Sequence, residues 1–169
     1  IGSTLAGKKL IENSSTSVKR FSLELGGDAP VLVFADAELD VAVADIVGLK
    51  LANAGQICVA PNRVFVHASI YESFLEKAKV LMKSYRYIGE TGKGPELSPV
   101  CTESSVEKMV NFCKPENHGG TVVTGGNRAD RPGYFLEPTL IRDVDRESKL
   151  TCEETVSYTH LTLPTTTIV

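Results

Sequence analysis

The chain has 169 residues, 42% of them hydrophobic and 23% charged, with a formal net charge of −3 and a pI near 5.7. That length supports one domain with a real core, and the mixed charge offers no basic stripe for nucleic acid and no like-charged tail. No apolar run reaches the length of a membrane span, and the four cysteines and three histidines show neither a C-x-x-C pair nor ligand spacing, so neither a metal site nor a disulfide framework is expected.

Taken in order, Ser3 or Thr4 caps a first helix running through Thr4 to Ile11. A serine at such a helix start is either a plain cap or a seat for phosphate, and this stretch alone does not choose. Arg20 to Leu25 alternates, which predicts a strand with Phe21, Leu23 and Leu25 on one face. Pro30 to Ala35 is a near-continuous apolar run, which predicts a strand covered on both faces. Asp36 is the expected cap of a helix from about Glu38 to Ala52, with acids in its first turn and Leu39, Ala42, Val43, Ile46 and Leu49 or Lys50 near helical spacing.

Asn62 to Val66 reads as another strand, and Ser69-Ile70-Tyr71-Glu72 as a capping box. The helix it opens carries a core stripe of Tyr71, Phe74, Leu75, Ala78, Leu81 and Met82. Ile88 to Pro99 is a Gly/Pro-rich loop. Thr102 or Glu103 then starts a helix with Val106, Met109, Val110 and Cys113 on one face, so Cys113 and Cys101 are assigned to packing. A short strand follows at Thr121–Thr124, then a polar turn, then a strand from Tyr134 to Ile141 with Glu137-Pro138 at an edge or bulge. Strands alternating with helices predict an α/β fold with a largely parallel sheet flanked by helices.

Two stretches hold residues with chemistry to offer. In Asn53-Ala54-Gly55-Gln56-Ile57-Cys58-Val59, Cys58 is either a buried small hydrophobe or a nucleophile on a turn, close to backbone N–H groups that favour a thiolate. In Leu23-Glu24-Leu25-Gly26-Gly27, Glu24 sits among apolar neighbours, a place glutamate rarely takes without a partner or a task. Both chain ends read as cut. The threonine-rich run Val156–Val169 is set aside from the fold as a non-native tail.

Together these motifs resemble the aldehyde dehydrogenase superfamily, from Ile1 to about Thr155. Ile1-Gly2-Ser3-Thr4 with Gly7 is similar to its G-S-T turn, Leu23-Glu24-Leu25-Gly26-Gly27-x-x-Pro30 to its glutamate motif, and Asn53-x-Gly55-Gln56-x-Cys58 to its cysteine motif. Gly133-Tyr134-Phe135-x-x-Pro138-Thr139 and Cys152-Glu153-Glu154 match later landmarks. After Thr155, where the family continues with Phe-Gly-Pro, this chain has Val156-Ser157-Tyr158. Among subfamilies the resemblance is to semialdehyde dehydrogenases.

The resemblance implies an aldehyde dehydrogenase-like catalytic domain incomplete at both ends: residues 1–25 closing a cofactor domain, 26–155 forming a truncated catalytic domain, and 156–169 a non-native tail. It implies NAD(P)-dependent oxidation of an aldehyde to a carboxylic acid, with Cys58 as nucleophile and Glu24 as general base. Ser3, Leu25 and Glu154 would contact NAD or NADP, and Ile57 and Val59 would wall the substrate pocket. The implied partners are a small aldehyde and, for the full-length parent, further copies of itself, with no nucleic acid or membrane. The setting is a soluble intracellular one, cytoplasmic or mitochondrial. This chain alone is expected to be inactive. The alternatives are a non-catalytic structural or binding relative, and a CoA-acylating enzyme that would not need Glu24.

Overall fold

The computed structural model describes residues 1–152 and the backbone of 161–164. Helix α1 (Thr4–Asn13) opens on Ser3, whose side chain accepts the Ala6 N–H as expected of a cap. The next segment differs from expectation. Arg20 to Leu25 forms no strand, because no described neighbour completes a ladder with it; one backbone bond, from Gly2 N–H to the Glu24 carbonyl at 2.9 Å, ties it down.

Strand β1 (Ala29–Val33) follows, and it is covered on one face only. Val33 is buried while Leu32 is 57% exposed, because successive side chains point to opposite faces of the sheet and the Leu32 face is left open. Helix α2 (Leu39–Leu51) starts at Glu38 with no side-chain cap, so Asp36 does not play that part. α2 buries Val43, Ile46, Val47, Lys50 and Leu51, a run at helical spacing that includes a lysine.

Strand β2 (Pro61–Val66) buries Val64 and Val66. The expected capping box at Ser69 does not form. A 3-10 turn at Ala68–Ile70 intervenes, His67 takes the Ser69 N–H, and Glu72 is drawn instead to Arg142 at 2.6 Å. Helix α3 (Tyr71–Lys83) buries Phe74, Leu75, Ala78 and Met82 as its stripe predicts, each contributing on the order of 1–3 kcal/mol by removal from water.

A small parallel pair, β3 (Arg86–Tyr87) and β4 (Glu96–Leu97), closes the glycine-rich loop. Arg131 lies over the rings of Tyr87 and Phe135 at 5.0 and 4.3 Å and pairs with Glu90, which pins this loop to the chain before β6. Helix α4 (Glu103–Phe112) is capped by Thr102 through the Ser105 N–H, and the short α5 (Pro115–His118) follows. β5 (Thr121–Thr124) falls where expected. β6 (Leu140–Val144) starts later than the expected Tyr134, because Pro138 has no N–H to give a ladder. α6 (Lys149–Cys152) ends the continuous described chain, and β7 (Leu161–Pro164) adds a strand drawn from the segment set aside as a tail.

The main sheet runs β1-β2-β7-β6-β5, parallel throughout except at the β5–β6 pair. The α/β fold with a largely parallel sheet is therefore as read. Among the described residues no helix is long and apolar enough to cross a membrane.

Candidate active site

The site is built where α2 gives way to β2. Asn53, Ala54 and Gly55 take left-handed backbone angles in succession, with φ of 50°, 55° and 67°. Only the glycine does so freely; the other two cost about 1–2 kcal/mol each, so something must hold them. Gln56 does this. Its backbone N–H and its side-chain Nε2 both donate to the Asn53 carbonyl at 3.1 Å, and its Oε1 accepts the Cys101 N–H at 3.0 Å. Two residues on, Cys58 stands exposed on the resulting turn as a free thiol, and its N–H has no acceptor among the described residues.

The glutamate segment lies directly against this turn. A Cβ on Gly27 would fall 2.7 Å from the Cys58 carbonyl oxygen, so only glycine lets the two backbones approach this closely. Between them is a cleft of about 390 Å³, with Glu24, Leu25 and Gly26 on one wall, Gln56, Ile57 and Cys58 on the other, and Ile1-Gly2 at one end. Glu24 is exposed rather than enclosed by its apolar neighbours.

Beneath the cleft is a buried polar cluster. Lys50 is wholly inaccessible and donates from Nζ to Asn62 Oδ1 at 2.5 Å. Asn62 in turn donates from Nδ2 to the Gly27 carbonyl at 3.4 Å. Arg63 pairs with Asp28 at 3.0 Å and donates to its carbonyl at 2.7 Å. Burial pushes the Lys50 ammonium down to about 7, opposed by the Asp28 charge. Burial likewise raises Asp28, against the pull of Arg63, Asn62 and Lys50.

The structure therefore brings Cys58, Glu24, Leu25 and Ile57 into one cleft. Val59, 57% exposed, is outside its lining. Ser3 adjoins the Ile1-Gly2 end on α1, and the first-turn N–H groups of that helix suit an anionic phosphate group. Glu154 lies outside the described residues. Cys113 is buried, and burial pushes its thiol up to about 12, as a packing role requires. Cys101 is exposed, so its assignment to packing fails: its backbone N–H, not its thiol, is what the fold uses. Among the described residues no His/Cys/Asp/Glu group is arranged for a metal ion. Sequence reasoning missed Lys50 and Gln56 as parts of the site's frame. The available signal was a lysine at i+7 from Val43 on an apolar stripe.

A cysteine turn and a glutamate-bearing segment that line one cleft define a thiol-centred site. The aldehyde dehydrogenase family model matches residues 1–157, and the chain belongs to that family. It is 43% identical over 156 residues to the mitochondrial succinate-semialdehyde dehydrogenase of Rattus norvegicus, covering 91% of this chain and 30% of that protein. It is 37% identical to the NADP-dependent succinate-semialdehyde dehydrogenase of Escherichia coli (strain K12), covering 91% of this chain and 32% of that one. The fold matches the NAD+ complex of an aldehyde dehydrogenase from Bacillus cereus with a TM-score of 0.88 at 32% identity, covering 96% of this chain and 33% of that one. The chain thus spans about a third of the length of the relatives it matches.

Proposed function

We propose that this chain supplies the catalytic cleft of an NAD(P)-dependent aldehyde dehydrogenase, with residues 1–25 on the cofactor side and 26–155 on the catalytic side. The observation that carries this reading is the placement of Cys58 and Glu24 on opposite walls of one cleft, held together by the Gly27 approach. Cys58 Sγ attacks the aldehyde carbonyl carbon, and the new alkoxide lies where the free Cys58 N–H can donate to it. A nicotinamide cofactor, when bound, accepts the hydride that turns this adduct into a thioester. Ser3 and the first turn of α1 receive the pyrophosphate, with Leu25 and Glu154 on the cofactor side.

Glu24 then takes a proton from a water that attacks the thioester, releasing the carboxylic acid and the thiol. Acyl transfer to a thiol such as CoA would not require that carboxylate, so its place in the cleft favours hydrolysis. Ile57, beside the nucleophile, walls the substrate side, with Val59 at its margin. The names of the relatives favour a semialdehyde of the succinic type as substrate. Assembly of the full-length parent into a homo-oligomer belongs to the same reading.

The test is a pair of variants in the protein that carries this segment, assayed with succinic semialdehyde and NAD or NADP. Cys58→Ala is expected to abolish NAD(P)H formation. Glu24→Gln is expected to keep a first-turnover burst and to slow the steady state by about 10²-fold or more. Full-rate oxidation by the Cys58→Ala protein would overturn the assignment.

A further inference from the structure

Cys58 and Glu24 both line the cleft, yet the most unusual side chain lies beneath it. Lysine is among the residues least often fully buried, and Lys50 is 0% exposed. Its ammonium is satisfied by Asn62 at 2.5 Å, and Asn62 passes the contact on to the carbonyl of Gly27 at 3.4 Å. Gly27 is the residue whose backbone presses on the Cys58 carbonyl. The chain of contacts therefore runs from α2, through the start of β2, to the segment that carries Glu24, and meets the cysteine turn from below. Arg63 and Asp28 fasten the next residue of the same segment.

We propose that Lys50 and Asn62 are positioning residues that set the distance of the Glu24 segment from Cys58. This rests on the reading of Cys58 as nucleophile and Glu24 as base. Neither Lys50 nor Asn62 lines the cleft, so neither touches substrate. They act through the Gly26-Gly27 backbone, which joins Glu24 to the point of contact. Because the contact is with the glutamate side, its loss slows the step that uses Glu24 more than the step that uses Cys58 alone. A misplacement on the order of 1 Å costs up to about 10²-fold in such a step.

The experiment separates the two steps with p-nitrophenyl acetate, which needs no cofactor. Cys58 Sγ forms a bond to the acetyl carbon as the bond to p-nitrophenolate breaks, giving a burst that counts working sites. Water, giving its proton to Glu24, then cleaves the thioester to acetate and free thiol at a per-site steady rate. Asn62→Asp is the informative variant: it keeps an acceptor for Lys50 and the side-chain volume, but removes the donor to Gly27 and to Asp28 of the same segment. Lys50→Met removes the other end.

Both variants are expected to retain the burst rate within about twofold while per-site turnover falls on the order of tenfold. The double variant should be no slower than the worse single one, as for groups acting in series. A lower burst amplitude with unchanged per-site turnover would mean a purely structural role and overturns the proposal. So does wild-type turnover in Asn62→Asp. A burst that survives in Cys58→Ala would instead sink the underlying nucleophile reading, a result that the two positioning variants cannot mimic.

Discussion

Gly27 shows how much the site depends on a single missing atom. The backbone carbonyl oxygen of Cys58 stands 2.7 Å from where a Cβ would go, and neither partner is a flexible side-chain end that can swing away. Gly27→Ala must therefore push the glutamate segment off the cysteine turn. We expect a loss of about 1–3 kcal/mol by chemical denaturation, together with a changed rate of Cys58 alkylation by iodoacetamide. Unchanged stability and unchanged alkylation would mean that the two backbones are not in contact in solution. The glycine pair itself was plain in the sequence, as part of the glutamate motif. Its partner was not, because nothing local says that residue 27 meets residue 58.

At the scale of elements, the helices obey their local rules where those rules have no competitor. Thr102 caps α4 as its sequence suggests, and among the described residues its side chain bonds only to local groups, Ser104, Ser105 and the Ser105 N–H. Thr102→Ala is expected to cost about 1 kcal/mol, read as a lower denaturation midpoint with unchanged slope. The capping box predicted at Ser69 failed for the opposite reason. His67 captures the serine N–H, and Arg142, reaching across from β6, captures Glu72. A bidentate guanidinium–carboxylate pair outweighs the reach of a carboxylate back to its own N-cap. Likewise Asp36 is the expected cap of α2, but the helix starts later, with Glu38 at its N-cap, and leaves Asp36 two residues outside.

At the scale of the whole molecule, one buried charge makes stability depend on pH. Lys50 titrates near 10.5 unfolded and about 7 folded, so between these values the unfolded chain binds more protons. Stability must then rise with pH from 7 upward. Over pH 7 to 9 this amounts to about 2 kcal/mol at this degree of burial. Above pH 9 Cys113 opposes the rise, since burial holds its thiol protonated to about 12 while the unfolded thiol ionises. Lys50→Met is expected to flatten the rise between pH 7 and 9, measured as the urea midpoint across that range. A rise that persists undiminished in the variant would show that Lys50 is charged throughout.

What the sequence by itself determined is the alternation of helix and strand, the core stripes of α3 and α4, the start of α1 at Ser3 or Thr4, and the family, through the glutamate and cysteine motifs. These are short-range patterns, written in spacing and in motif order. What only the tertiary structure decided is which face of β1 is covered, the central place of β7 in the sheet, the left-handed run before Cys58, and the buried lysine beneath the cleft. Each of these depends on a neighbour far away in the chain: the sheet order for β1 and β7, Cys101 for Gln56, and Asn62 and Asp28 for Lys50. Local propensity has no access to such partners, and the energies they supply exceed the local preferences they override.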